Sequence, residues 1–248
     1  MNQEEIYDKV WQDITVKNPR PFLEYKMDLI KKFFVGKNSG RALDIGCGDG
    51  VFTFNLIKQG YTVDAIDISL EAIKSTKDRL EKSGLTPCVN LFNKNIFEFE
   101  PNEKYDVILC LEVLEHIEQD TKALKQMNGW LNKGGILILS MPHRQDLWNY
   151  SDEVGGHCRR YSKEDVANKL NLANFEVEEI FDYGFPFIRF FVNGFCVPFA
   201  KKQKSQINPP KNSFFARKAG QILRNLCKID NSFINNDKGI NLVVLAKK

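Results

Sequence analysis

Residues 42–50, ALDIGCGDG, run an apolar segment into three glycines at alternate positions, Gly46, Gly48 and Gly50. Followed by VFTFNLIKQG (51–60), the stretch predicts a strand, a tight turn and a helix with glycine at its end. Glycine permits the turn and lets backbone approach a ligand, while the helix behind it offers free N–H groups. A GxG pair alone is weak. A dinucleotide fingerprint needs GxGxxG, and its last glycine falls here on Val51. Asp67 closes the next apolar run, YTVDAID, roughly twenty residues on, where a carboxylate can accept both hydroxyl protons of a ribose.

Outward from this turn, apolar runs alternate with helical ones, the pattern of parallel βαβ construction. SLEAIKSTKDRLEKSG (69–84) predicts a helix with Ser69 as N-cap and Gly84 as stop. CVNLFNKNI (88–96), YDVILCLE (105–112) and ILILSMP (136–142) read as strands, and LEHIEQDTKALKQMNGWL (114–131) as a helix stopped at KGG. After a loop holding GGHCRRY, Ser162 and Asp165 predict a capping box for KEDVANKLNLAN (163–174). FEVEEIFDYG (175–184) and GINLVVLAKK (239–248) read as the last two strands. Three parts follow: a helical cap over 1–40, a core of 41–183 plus 239–248, and a partly helical insertion over 184–238.

The chain has 248 residues and a net charge of +3, too mild and too dispersed to point to DNA. Its first residues, MNQEEIYDKVWQD, are polar and acidic where a secretory signal is basic and then apolar. The six cysteines stand singly with no CxxC pair, which fits reduced thiols and a cytoplasmic location. FPFIRFFVNGFCVPFA (185–200) is interrupted by Arg189 and Asn193 and is too short to cross a bilayer.

LDIGCGDG, VDAIDIS, NKNIFEF, YDVILCLEVLEHI and LNKGGILILSMP, in this order between Arg41 and Pro142, resemble the class I S-adenosylmethionine-dependent methyltransferases. The resemblance implies an α/β, Rossmann-like sheet of seven strands, mostly parallel with an antiparallel last strand, and helices on both faces. It places Gly46, Cys47, Gly48 and Gly50 along the methionine part of S-adenosyl-L-methionine, with Asp44 orienting the loop or the amino group. Asp67 and Ile68 would hold ribose and flank adenine. Asn95 stands where the family often has an aspartate near the adenine amino group, with Ile96 beside it; Cys110 and Leu111 would lie beside the sulfonium.

LEVLEHIE (111–118) sets Glu112, Glu115 and His116 at i, i+3 and i+4, so on a helix all three leave one surface. They are either solvated acids at a helix start or half of a metal site. His157, in the later GGHCRRY loop, would meet them at the carboxyl edge of a doubly wound sheet. This set resembles that of ubiquinone-biosynthesis O-methyltransferases and small-RNA 2′-O-methyltransferases, in which an ExxEH turn and a later histidine hold a divalent ion against the acceptor hydroxyl. The resemblance implies Glu112, Glu115, His116 and His157 as ligands for Mn, Fe, Co, Zn or Mg, with His116 and His157 catalytic. A metal-free general base and a structural histidine are the competing readings of His157. Arg159, Arg160 and Tyr161 would either clamp an anionic group of the substrate or pair with surface acids.

The expected reaction is methyl transfer to a small molecule, at a hydroxyl, by a monomer or homodimer. N-methylation, RNA 2′-O-methylation and a non-catalytic cofactor-binding module are the alternatives, and no basic RNA-binding module is visible. The aromatic insertion with KKQK (201–204) and INPPKNSFFARK (207–218) would be a lid or substrate wall, an oligomer contact, or a basic edge touching anionic lipid.

Overall fold

The structure, a computed structural model, describes residues 21–34, 39–196, 198 and 214–248. Seven strands form one sheet: β1 (Gly40–Ile45), β2 (Tyr61–Asp67), β3 (Val89–Asn93), β4 (Tyr105–Leu111), β5 (Leu131–Pro142), β6 (Glu176–Tyr183) and β7 (Asn241–Lys247). Their order is β3-β2-β1-β4-β5-β7-β6, and only β7 runs antiparallel to its neighbours. This is the expected Rossmann-like sheet.

Side chains alternate across each strand, so one sequence serves two cores. Leu43, Ile108, Leu137 and Val244 face the layer of α4 (Asp120–Trp130) and α6 (Lys163–Leu172), where Leu124, Met127, Val166 and Leu170 meet them. Ala42, Val107, Ile138 and Val243 face the other layer, packed by α1 (Pro21–Ile30), α2 (Val51–Lys58) and α3 (Leu70–Glu81) through Tyr25, Ile30, Leu56 and Leu80. Burial on both faces explains why β4 and the second half of β5 are almost unbroken apolar runs.

Local signals work as their chemistry requires. The Ser69 hydroxyl accepts from Ala72 N–H at the start of α3, and Gly84 takes φ +66° at its end. Ser162 and Asp165 bond reciprocally as a capping box on α6.

Three expectations are corrected. The segment 114–131 is not one helix: a single 3-10 turn, Leu114–His116, is followed by extended Ile117, and α4 begins only at Asp120. Glu112 N–H is engaged by Ser140 O of β5 and Glu112 takes φ +55°, so the chain leaves β4 by a left-handed turn instead of entering a helix. The KGG stop belongs to β5, which begins at Leu131. β3 ends at Asn93, and the Asn95 side chain caps a 3-10 turn, Ile96–Glu98. The loop after β5 also holds a short helix, α5 (Tyr150–Gly155), with its own capping box from Asn149 and Asp152.

Of the cap over 1–40, residues 1–20 and 35–38 lie outside the described residues, as do the KKQK run and much of the second basic stretch of the insertion. Within the insertion, α7 (Phe187–Phe191) and α8 (Phe214–Cys227) are helical. Arg224 of α8 pairs with Glu24 and Asp28 of α1, and Tyr25 donates to Asn231, so the insertion rests on the cap. Among the described residues no helix is long and apolar enough to cross a membrane.

Candidate active site

The connections after β1 and β4 leave the sheet in opposite directions, opening a crevice at its carboxyl edge. A cavity of about 600 Å³ occupies that place, lined by Gly46, Asp67, Ile68, Asn95, Ile96, Val113 and His116 among others. The glycine loop forms one wall. Gly46 has φ +71°, and a Cβ there would stand 2.3 Å from Val113 Cγ2, so both backbone angle and space require glycine.

The loop is held from behind. Asp67 accepts from Gly48 N–H and Ser69 N–H, each at 2.9 Å, while Thr76 donates to Gly48 O and Arg79 clasps Asp49 through its carbonyl and carboxylate. Asp44 lies under the loop and accepts from the Thr53 hydroxyl. Burial lifts its pKa to about 7; Thr53 opposes the shift, and the nearby carboxylates of Asp67 and Asp49 reinforce it. The Asp67 carboxylate against the loop favours a cationic ligand and opposes a pyrophosphate.

Of the residues expected at the cofactor, Gly46, Asp67, Ile68, Asn95 and Ile96 line the cavity. Asp44, Cys47, Gly48, Gly50, Cys110 and Leu111 do not. Gly48 and Gly50 face Thr76, Cys47 is buried beside it, and Cys110 of β4 is sealed in the core. The Asn95 amide oxygen accepts from Phe97 N–H and so shapes the cavity floor through its backbone. Lys94, Phe97, Ile117, Glu118 and Gln119 also line the cavity. Sequence spacing did not single them out; their place after β3 and β4 was the available signal.

At the other end of the crevice, Glu115, His116 and His157 bring one ligand atom each to within 4.8 Å of one another. The two imidazoles lie edge to face with centroids 4.7 Å apart. His157 Nδ1 is 2.8 Å from Asp152 Oδ1 and His116 Nδ1 is 3.4 Å from Gly156 O. A carbonyl only accepts, so His116 Nδ1 carries the proton and Nε2 keeps its lone pair. An ionised Asp152 imposes the same tautomer on neutral His157. Hydrogen bonds from His157 and Arg160 overcome burial and hold the Asp152 pKa at about 2; burial lowers that of His116 to about 4. Gly155 leaves His157 its room, since a Cβ there would stand 3.1 Å from Nε2.

Glu115 is fully buried, and among the described residues neither of its carboxylate oxygens has a hydrogen-bond partner, the His116 Nε2 atom lying 3.9 Å from Oε1. Burial first, and the charge of Glu112 second, raise its pKa well above the ordinary range. Such a group requires a proton or a cation. The donor set of one carboxylate and two lone-pair imidazoles therefore fits a divalent transition metal.

Glu112 stands apart. Its Oε1 takes Lys26 Nζ at 2.6 Å and the Ser140 hydroxyl at 2.7 Å, so it is not gathered with the other three expected ligands. Lys26, missed in the sequence, comes from α1 and is almost wholly buried. The expected substrate-binding trio is likewise engaged inside the protein. Arg159 bonds Ile117 O, Glu118 O and Asp120; Arg160 makes a two-pronged contact to Asp152; the Tyr161 hydroxyl shares its one proton between Asp120 at 2.9 Å and Leu114 O at 3.1 Å. None of the three lines the cavity.

A family model described as methyltransferase domain matches residues 20–180. Among curated relatives, the ubiquinone biosynthesis O-methyltransferase of Rickettsia felis is 31% identical over 122 residues, 49% of this chain and 49% of that protein. Its counterpart in Rickettsia bellii is 32% identical over 171 residues, 64% of this chain and 70% of that protein. The chain thus spans about half the length of the first of these relatives. The N-methyltransferase NodS from Bradyrhizobium japonicum, solved with S-adenosyl-L-homocysteine, shares the fold with a TM-score of 0.61 at 16% identity, covering 98% of each chain. Fold, family match and relatives agree with the acid-rich glycine loop: the chain belongs to the methyltransferase-domain family and is a class I S-adenosylmethionine-dependent methyltransferase.

Proposed function

We propose that the protein methylates a hydroxyl of a small organic acceptor, bound at the Glu115–His116–His157 end of the crevice. The observation that carries this reading is the Glu115 carboxylate, buried beside two imidazoles of fixed tautomer with no hydrogen-bond partner for either oxygen among the described residues. Kinship with ubiquinone biosynthesis O-methyltransferases supports oxygen as the acceptor atom.

S-adenosyl-L-methionine would lie along Gly46, with Asp67 and Ile68 toward its ribose and adenine and Ile96 beside the base. Asp67 ends β2 on the cavity wall, where ribose hydroxyls would donate to its carboxylate. Asp67 brings negative charge to the loop, complementary to the cofactor's ammonium and sulfonium.

Glu115, His116 and His157 would hold the divalent cation. When bound, that cation supplies the positive charge that lowers a hydroxyl pKa and fixes its position. Asp152 and Gly156 O keep both imidazole lone pairs turned toward the site, and Arg160 keeps Asp152 in place. Val113 and Ile117 present apolar surface beside His116, which suits an acceptor with a flat or aliphatic body.

A metal-free second reading is favoured by the His157–Asp152 hydrogen bond, in which an aspartate orients an imidazole acting as general base. One assay separates the two. Labelled S-adenosyl-L-methionine is incubated with the protein and fractionated lysate, with and without a chelator, and the labelled product is identified. A methyl ether formed only without chelator supports the metal-assisted reaction; one formed equally in both supports the general base. A labelled amine contradicts the proposal.

A further inference from the structure

The turn after β4 is held from outside itself. A single 3-10 turn, Leu114–His116, followed by extended Ile117, bonds its own backbone through Ile117 N–H to Leu114 O and His116 N–H to Val113 O. So short a turn leaves carbonyls in need of donors. The segment 158–161 provides them. Cys158 N–H bonds Glu115 O at 2.8 Å, the Arg159 guanidinium bonds Ile117 O at 2.8 Å and Glu118 O at 3.2 Å, and the Tyr161 hydroxyl lies 3.1 Å from Leu114 O.

Of these contacts, those of Arg159 reach furthest along the turn. Its Nη1 also meets Asp120 Oδ2 at 2.8 Å; Asp120 opens α4, is almost wholly buried, and is shared with Tyr161 and Lys169. One planar cation thus ties two carbonyls to the first residue of a helix, a task that suits a rigid fork of donors better than the single ammonium of a lysine. The residues so spanned, Ile117, Glu118 and Gln119, line the cofactor cavity, and His116, which also lines it, stands just before them.

We propose that Arg159 is a positioning residue for the methyl donor: it fixes the Ile117–Gln119 wall of the cavity, and with it the place of S-adenosyl-L-methionine, from the segment that also carries His157. This rests on the cofactor placement given above. His157 faces the cluster and Arg159, two residues on, holds the cofactor wall, so the donor pocket and the acceptor end share one support. The two arginines that read in sequence as an anion clamp are then internal braces, Arg159 for the turn and Arg160 for Asp152.

The test is a calorimetric titration of the purified full chain with S-adenosyl-L-homocysteine, with a urea unfolding curve on each preparation, for the wild type, Arg159→Met, Arg159→Lys and Lys169→Met. Lys169 bonds Asp120 from α6, so its loss removes a cation from that carboxylate while the guanidinium keeps the turn. Arg159→Met is expected to weaken binding at least about fivefold. Arg159→Lys keeps the charge opposite Asp120 and gives up the fork; it is expected to weaken binding at least about threefold, and it carries the test where Arg159→Met does not fold. Lys169→Met is expected to lose stability yet stay within about twofold of wild type in affinity, below the range of ordinary coupling between sites.

Arg159 variants that lose stability and bind S-adenosyl-L-homocysteine like the wild type make the contact structural, and overturn the proposal while leaving the cofactor placement intact. Affinity lost equally in Lys169→Met assigns the effect to the surroundings of Asp120 at large and overturns it too. A wild-type chain that binds no S-adenosyl-L-homocysteine removes the cofactor placement and this inference with it.

Discussion

Asp152 joins His157 to Arg160: one carboxylate oxygen lies 2.8 Å from the His157 ring nitrogen, and both oxygens are gripped by the Arg160 guanidinium. All three belong to the segment after β5, yet they act on Glu115 and His116 across the crevice, where Cys158 N–H also donates to Glu115 O. Asp152→Asn keeps the shape and removes the charge. Since Arg160 is then left buried without its counterion, stability is expected to fall by about 3–5 kcal/mol in urea unfolding, and methyl transfer by about 10- to 100-fold. Unchanged turnover would separate this network from the chemistry.

Gly46→Ala forces a side chain into the space of Val113 Cγ2 and a left-handed backbone onto a residue with a Cβ. Calorimetric titration with S-adenosyl-L-homocysteine is expected to show affinity lowered by more than about tenfold. The strain itself should cost about 1–3 kcal/mol of stability. Binding equal to wild type would place the cofactor elsewhere.

Asp44 links the loop to pH. Its folded pKa, about 7, lies above the ordinary carboxyl value of 3.8, so the folded state binds more protons than the unfolded chain between these limits. Stability from this group is present below pH 3.8 and lost as pH rises through about 7, at no more than about 1.4 kcal/mol per pH unit. Urea titrations from pH 5 to 8 are expected to show that fall in the wild type and a smaller one in Asp44→Asn. Parallel curves would refute the assignment.

Ser162→Ala removes one half of the capping box on α6, away from the cavity. A loss of about 1 kcal/mol is expected with turnover unchanged, measured on the same preparation. Reduced turnover at intact stability would tie α6 to the site.

What the sequence made legible was governed by how locally each feature is specified. Gly46 and Asp67 are readable because a turn and an acid at a strand end carry their own chemistry, and the central strands β4 and β5 because burial on both faces writes itself as apolar runs, whereas the edge strands β3 and β6 are only partly buried. The ExxEH stretch misleads at first: its spacing is helical, but pairing of Glu112 N–H with Ser140 O bends the chain before a helix can form. Lys26 was invisible for a different reason, since its partner stands 86 residues away. Arg159, Arg160 and Tyr161 have the composition of a ligand clamp and are engaged by Asp120 and Asp152, which only tertiary structure reveals. The capping pair Asn149 and Asp152 was within reach of pattern reading, and it marks the helix that delivers His157.

The central claim is that the crevice between the Gly46 loop and the Asp67–Ile96 wall holds the methyl donor. A crystal structure of the chain grown with saturating S-adenosyl-L-homocysteine tests it most directly. The account predicts the amino acid end of the ligand along Gly46, its ribose within hydrogen-bonding distance of Asp67, and its sulfur turned toward the His116 end. Density for the ligand at any other place, or an empty crevice at a concentration that saturates binding in solution, would contradict it.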